Sequence, residues 1–223
     1  CIDDDIIFDK SAIKEIIKFW NSVPENTGGI GFNEINDQID HSGIIRQLLY
    51  LDHSKPGVVL RSGSATLINN LKENISSEWL NGGMTIWKKT ILQDFKHKEV
   101  NTKWAIGEDL IFSYPIGKKF PLYVCANAKV THNHNPYSTS DLKWHFLHGK
   151  TQTVWIYYFV SNNNLSKTLF FYTVLIRLFI KLVYGIILIR RDRIYFSFGV
   201  ISAIIKIFAW NFGLSDKVDI REE

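Results

Sequence analysis

Cysteine is nearly absent from this chain of 223 residues, which has two, and methionine is rarer still, with one. Two thiols, Cys1 and Cys125, cannot build a disulfide framework or a zinc-type cluster. There is no GxGxxG fingerprint and no P-loop, so the two commonest glycine-rich phosphate cradles are excluded. Internal repeats and low-complexity segments are missing, and no signal peptide is visible. Charge of one sign is not concentrated either. The net charge of +4 is mild and scattered, which argues against a nucleic-acid surface. Two sequons, Asn74-Ile75-Ser76 and Asn164-Leu165-Ser166, carry no weight in a chain so rich in asparagine.

What is present is unevenly placed. Hydrophobic residues make up 46% and charged residues 22%, ordinary for a globular core. Carboxylates crowd the start, and a long apolar block lies near the end. Cys1-Ile2-Asp3 reads as the end of a buried strand, so the chain reads as the carboxy-terminal part of a larger fold. Ala12, Ile13, Ile16, Ile17 and Trp20 recur at helical spacing behind Asp9, a helix-cap residue. Strands are expected at Ile30 to Ile35, at Val58 to Arg61, and over Pro121 to Val124 and Ala128 to Thr131. Helices are expected over Thr85 to Leu92 and from Glu108 to Tyr114. Ser161-Asn162-Asn163-Asn164 is the best linker, dividing residues 1–160 from an apolar tail, 161–223. The alternation of short strands and helices predicts one α/β layer structure.

Three groups of residues are suited to chemistry. Asp3-Asp4-Asp5 is the first. On an extended chain Asp3 and Asp5 share a face, and their repulsion is relieved by a Mg²⁺ or Mn²⁺ ion bridging to a diphosphate. The plain alternative is an acidic loop. Glu108-Asp109, after Gly107, is the second. A carboxylate there can take a proton from an attacking hydroxyl, or can simply favour a helix start. The third is His132-Asn133-His134, whose imidazoles alternate on one strand face as metal ligands do; a solvated loop pair is the alternative. Asn81-Gly82-Gly83 is a turn. His41, His53, His97, His145 and His148 have no comparable context.

The order of these pieces resembles the family-two glycosyltransferases. Asp3-Asp4-Asp5, then Leu80-Asn81-Gly82-Gly83-Met84, then Gly107-Glu108-Asp109-Leu110, then a strand closing at His132, span residues 1–160. The resemblance implies a GT-A fold, a mixed sheet flanked by helices, whose first nucleotide-binding strands precede this chain. It implies that Asp3 and Asp4 contact the nucleoside and that Gly82 and Gly83 line the sugar pocket. Asp5 is then the metal-holding aspartate of a DXD-like motif, with His132 on the same side. Asp109 becomes the catalytic base and Glu108 an acceptor-site residue. The QxxRW motif of processive relatives is absent, which points to addition of a single sugar. The implied partners are a nucleotide-sugar donor, a lipid-linked or cell-envelope glycan acceptor, a divalent cation and a membrane surface. The implied location of the catalytic domain is the cytoplasmic side. A metal-dependent phosphoester hydrolase, or a non-catalytic membrane-bound assembly subunit, is the alternative for the same residues.

Leu169 to Ile189 and Ile194 to Leu214 are each about long enough to span a bilayer. Arg177 and Lys181 cost roughly 2.5–3.5 kcal/mol apiece near the centre of a span, while each large apolar residue returns about 0.3–0.6. The balance is near zero. Thr173, Arg177 and Lys181 form one polar stripe at i, i+4 and i+8, which favours a helix lying in the interface. Lys167, Arg177, Lys181, Arg190, Arg191 and Arg193 suit anionic headgroups. A soluble helical hairpin is the alternative.

Overall fold

The computed structural model describes residues 2–36, 43–97, 107–133 and 141–214. Among these the chain forms a mixed α/β body and a body of long helices. The α/β body runs β1 (Ile6–Phe8), α1 (Ala12–Trp20), β2 (Gly29–Glu34), α2 (Ile44–Leu48), β3 (Ile75–Ser77), β4 (Thr85–Trp87), α3 (Lys89–Asp94), α4 (Glu108–Gly117) and β5 (Leu122–His132).

The sheet order is β1-β5-β2-β4, with β3 also pairing β5. β5 is long enough to take β3 along Leu122 to Val124 and β1 along Val130 to His132, both antiparallel. Parallel to it on the other side lies β2, whose six residues are all buried, as expected of a central strand covered on both faces. Between Phe32 and Asn33 the β2–β5 register jumps from Cys125 to Lys129. Asn33 fills this irregularity. Its amide donates to Ala126 O at 2.8 Å and to Leu71 O at 3.0 Å, so the displaced backbone keeps its hydrogen bonds. The shift sets Glu34 opposite Val130.

α1 lays Ala12 and Ile16 on this sheet, against Ile30, Phe32, Met84, Cys125, Ala128 and Val130. The apolar stripe is narrower than its periodicity implies, because Ile13 and Ile17 stay exposed. Ser11, not Asp9, is the residue before the first helical turn; Asp9 contributes only its carbonyl, to Ala12 N. Two further expectations change. Val58 to Arg61 does not form a ladder strand, and only Val59 bridges to Ala65. Thr85 to Leu92 is a strand followed by a helix, because Thr85 to Trp87 pair with Gly29 to Gly31 before the chain turns at Lys88. Both faces of that tripeptide suit a sheet of β-branched and aromatic side chains.

The helical body comprises α5 (Leu142–Asn162), α6 (Lys167–Ile187) and α7 (Arg191–Asn211), with the segment Arg61–Ser64. It therefore takes in the helix before the Ser161–Asn164 segment as well as the two after it. Ser166 caps α6 by accepting from Leu169 N, and Asp141 caps α5 by accepting from Lys143 N. α5 and α7 run parallel and very close. A side chain at Gly149 would strike the Phe196 carbonyl, and one at Gly199 the Phe146 carbonyl. Two glycines thus allow backbone contact, the small-residue packing used between apolar helices. Tyr157, Val160, Phe170 and Ile207 form the core of this body.

The polar stripe of α6 makes its contacts within the body, although Arg177 itself stays exposed. Thr173 is buried, Arg177 donates to Ser64 Oγ at 3.0 Å, and the Lys181 ammonium lies over the Phe196 ring. The outward faces are apolar instead: Phe179 is 69% exposed and Ile187 70%. α6 and α7 are both long and apolar enough to cross a membrane.

Candidate active site

The acidic triplet is a turn, not an extended run. Ile2 bridges to Met84, Asp3 N donates to Gly83 O at 2.8 Å, and Ile6 N donates to Asp3 O at 3.4 Å. Closure of that turn removes the two-residue alternation, so Asp3 and Asp5 part company and engage different neighbours. Asp4 is exposed between them. Asp3 and Asp5 are two residues apart, so their Cα atoms lie within about 7 Å of each other.

Asp3 meets the glycine turn. Gly83 has φ +69°, and a Cβ there would collide with the Asp3 carboxylate. Only glycine permits both the backbone conformation and the approach. Gly82 N in turn donates to Asp109 Oδ2 at 3.3 Å, while Leu110 N donates to Oδ1 at 2.8 Å. The turn is fastened to α4 a second time. The fully buried Ser113 hydroxyl accepts from Leu80 N at 2.9 Å and reaches Asp109 O at 2.6 Å. Asp3, Gly82, Gly83 and Asp109 are therefore neighbours, brought together from three separate stretches of sequence.

Burial pushes the Asp109 carboxyl above its ordinary value, and its hydrogen bonds with Leu110 and Gly82 oppose this. Glu108 is also raised, first by burial and then by the negative charges of Asp109 and Asp3. Two neighbouring acids with raised affinity for protons mark a site suited to proton transfer. His97 joins them. Its ring stacks on Phe112 with centroids 3.7 Å apart, and Phe112 is one turn from Asp109 on α4. Burial lowers the His97 pKa, and the Asp109 charge partly offsets that.

Asp5 belongs to a second group. Asp5 Oδ1 is 3.2 Å from His132 Nε2, and Glu34 Oε1 is 3.7 Å from His132 Nδ1. The register Ile6 to His132 sets these side chains at one strand end, and Asn133 N donates to Asp5 O at 2.9 Å. Asn36 clamps the His132 backbone in both directions: its amide donates to His132 O at 2.7 Å, and its Oδ1 accepts from His132 N at 2.9 Å. His134 lies outside the described residues. Among the described residues no group of three or more His, Cys, Asp or Glu converges as a full metal cage.

Asp5 and His132 still fit two positions of an open cation site. The Nε2 edge of His132 faces the Asp5 carboxylate, and its Nδ1 edge faces Glu34. A carboxylate and an imidazole nitrogen facing each other can serve as two ligands of one divalent cation. The remaining ligands of a Mg²⁺ or Mn²⁺ ion would come from water and substrate phosphate, as is usual for these ions.

Sequence reading missed Glu34, Asn36, Ser113 and His97. Asn36 follows the expected Ile30–Ile35 strand by one residue, and Ser113 is four residues from Asp109. Those were the available signals, and neither specifies a partner. No family model, curated protein or solved structure matches the chain.

Proposed function

We propose that the chain belongs to an inverting glycosyltransferase of GT-A type, resembling family two. One observation carries this reading: Asp109 is held against Gly82 while the adjacent Gly83 abuts Asp3, so two carboxylates from distant parts of the sequence meet at one glycine turn. A hydrolase or a structural subunit does not require a raised carboxylate joined to a glycine turn in this way.

Asp109 takes the proton of the acceptor hydroxyl as its oxygen bonds to the anomeric carbon. The bond from that carbon to the donor diphosphate breaks, and the leaving group departs on the opposite face. Burial makes Asp109 a stronger base than an ordinary aspartate. Glu108 lies beside it to orient the acceptor. Asp3 and Asp4 are assigned to the nucleoside, and Gly82 and Gly83 to the sugar. Asp5 and His132 would hold a divalent cation, which would supply Lewis-acid neutralisation of the diphosphate.

In this reading α6 and α7 meet a membrane, the catalytic domain lies on its cytoplasmic side, and a lipid-linked or envelope glycan is the acceptor. Support for the membrane contact comes from the outward apolar faces of these helices.

The test is donor binding to the full-length protein in membranes, screened over nucleotide-sugars by mass spectrometry. Binding that is lost in Asp5→Ala and kept in Asp109→Asn supports the assignment. Absence of binding to every nucleotide-sugar, with hydrolysis of a simple phosphoester, replaces it with the hydrolase.

A further inference from the structure

The helical body contains a cation cluster that sugar transfer does not use. On α6, Arg177, Lys181 and Tyr184 fall at i, i+4 and i+7, on one face. That face meets α7: the Lys181 ammonium is 3.2 Å from the Phe196 ring centroid, and the Arg193 guanidinium 4.2 Å from that of Tyr184. Arg193, Arg177 and Asp192 all act electrostatically on Lys181. Asp192 is already engaged, because Arg190 donates to both its oxygens at 3.0 Å. Among the described residues, neither Lys181 nor Arg193 ion-pairs with a carboxylate. From α5, His148 turns to the same place. Its buried Nδ1 has no hydrogen-bond partner, and burial, then the Lys181 charge, push its pKa down to about 4.

Ring faces stabilise partly buried cations one at a time, but only an anion offsets the repulsion between neighbouring like charges. Phe196 and Tyr184 supply the faces, but no negative charge. The surroundings narrow the anion down. Phe179, Ile180, Val183 and Ile187 are exposed along α6, so an apolar chain has a surface beside the cations. An arginine fork and an ammonium together suit a phosphate ester.

We propose that Lys181 and Arg193 bind the phosphate of an amphiphile whose apolar chain lies along α6 and α7. This rests on the membrane contact of those helices and not on the transfer chemistry. The phosphate can belong to a bilayer phospholipid or to a lipid-phosphate acceptor.

The test is flotation of the full chain with phosphatidylcholine vesicles, plain or doped with phosphatidylglycerol or with a long-chain isoprenyl phosphate. Doped vesicles should bind more tightly. The double variant Lys181→Gln, Arg193→Gln should lose about 30-fold of that gain, from two cations each acting near an anionic surface. Lys167→Gln with Lys206→Gln should change it little. Gain with phosphatidylglycerol identifies a headgroup site, and gain with the isoprenyl phosphate alone an acceptor site. Equal binding by the Lys181, Arg193 double variant overturns the proposal, as does equal binding to vesicles doped with a fatty-acid carboxylate. A measurement on the unaltered chain guards against misfolding of the variant. Photo-activatable phosphatidylglycerol or isoprenyl phosphate should label peptides containing Lys181 or Arg193, and labelling confined elsewhere ends the proposal. Nucleotide-sugar binding should be unchanged in the double variant, so the two readings fail separately.

Discussion

The Asp3 carboxylate occupies the space in which a side chain on Gly83 would begin, and Asp3 N–H donates to the Gly83 carbonyl at 2.8 Å. Gly83→Ala must therefore move Asp3 and also place a methyl group at φ +69°. Strain of this kind costs on the order of 1–3 kcal/mol. The expected result is a loss of donor affinity of tenfold or more by calorimetry. Gly82→Ala differs, because its Cβ would lie 3.3 Å from the Asp109 Cβ and meets nothing else. It should disturb turnover more than donor affinity. Equal donor affinity in Gly83→Ala and the unaltered protein removes Asp3 from the donor site.

Asp109 should weaken the fold at neutral pH. Burial raises its folded-state pKa above the ordinary 3.8, so the folded chain binds its proton more tightly than the unfolded one. Stability is then highest below the ordinary value and falls as pH rises towards the folded value. Asp109→Asn carries no charge, but its single amide oxygen can serve only one of the Gly82 and Leu110 N–H groups, so one hydrogen bond is lost at every pH. Relative to the unaltered protein, its Tm should therefore stand higher at pH 7 than at pH 4. A Tm difference that is the same at both pH values would mean that charge is not the cause.

The Asp5 and His132 side chains should act as a pair towards Mn²⁺. With the two facing atoms 3.2 Å apart, removal of either should weaken Mn²⁺ binding, measured by electron paramagnetic resonance. Glu34→Gln, 3.7 Å from the far ring nitrogen and beyond hydrogen-bond reach of it, should cost less than loss of either facing group. Asp5→Ala binding Mn²⁺ normally assigns the cation elsewhere.

The sheet strands and the site were unequally legible. β2, α1 and β5 follow from local apolar patterns: β2 as a short run buried throughout, α1 through Ala12 and Ile16 at helical spacing, and β5 through its apolar run. The turn over Asp3 to Ile6 does not, since a single backbone bond overrides the strand alternation. Gly82, Gly83 and Asp109 were readable through their order along the chain. The residues that fix them were not. Ser113 meets Leu80 across 33 positions and Asn36 meets His132 across 96, and no local period reports such a pairing. The α6 stripe shows the same limit: its polar residues were visible, but the direction they face is set by α7 and by Ser64.

Membrane contact should follow the outward faces of the helices. Phe179 and Ile187 are largely exposed and touch none of the core of the helical body. Phe179→Asp with Ile187→Asp should leave the fold intact in detergent while shifting the full chain from the membrane pellet to the salt-washed supernatant. An aspartate near the middle of a span costs about 2.5–3.5 kcal/mol. The same distribution before and after substitution would show that these faces do not meet lipid.

The roles of the two adjacent acids can be separated by kinetics. Asp109 accepts from Gly82 N and Leu110 N, which aims its carboxylate at the glycine turn, whereas Glu108 lies nearer the surface. A general base typically contributes about 10²–10⁴-fold. Asp109→Asn should lower kcat by that much with donor Kd changed far less, because the shape and one of the two backbone hydrogen bonds persist. Glu108→Gln should raise the acceptor KM and alter kcat less. The pH profile supplies an independent sign. A base must be unprotonated to act, so kcat should fall as pH drops through the raised Asp109 value, above the 3.8 of an ordinary aspartate. In Asp109→Asn that acidic limb should vanish. Should Asp109→Asn retain kcat while Glu108→Gln loses it, the proton goes to Glu108, whose pKa is raised as well. Should both variants turn over normally, neither acid is the base and the transfer mechanism fails.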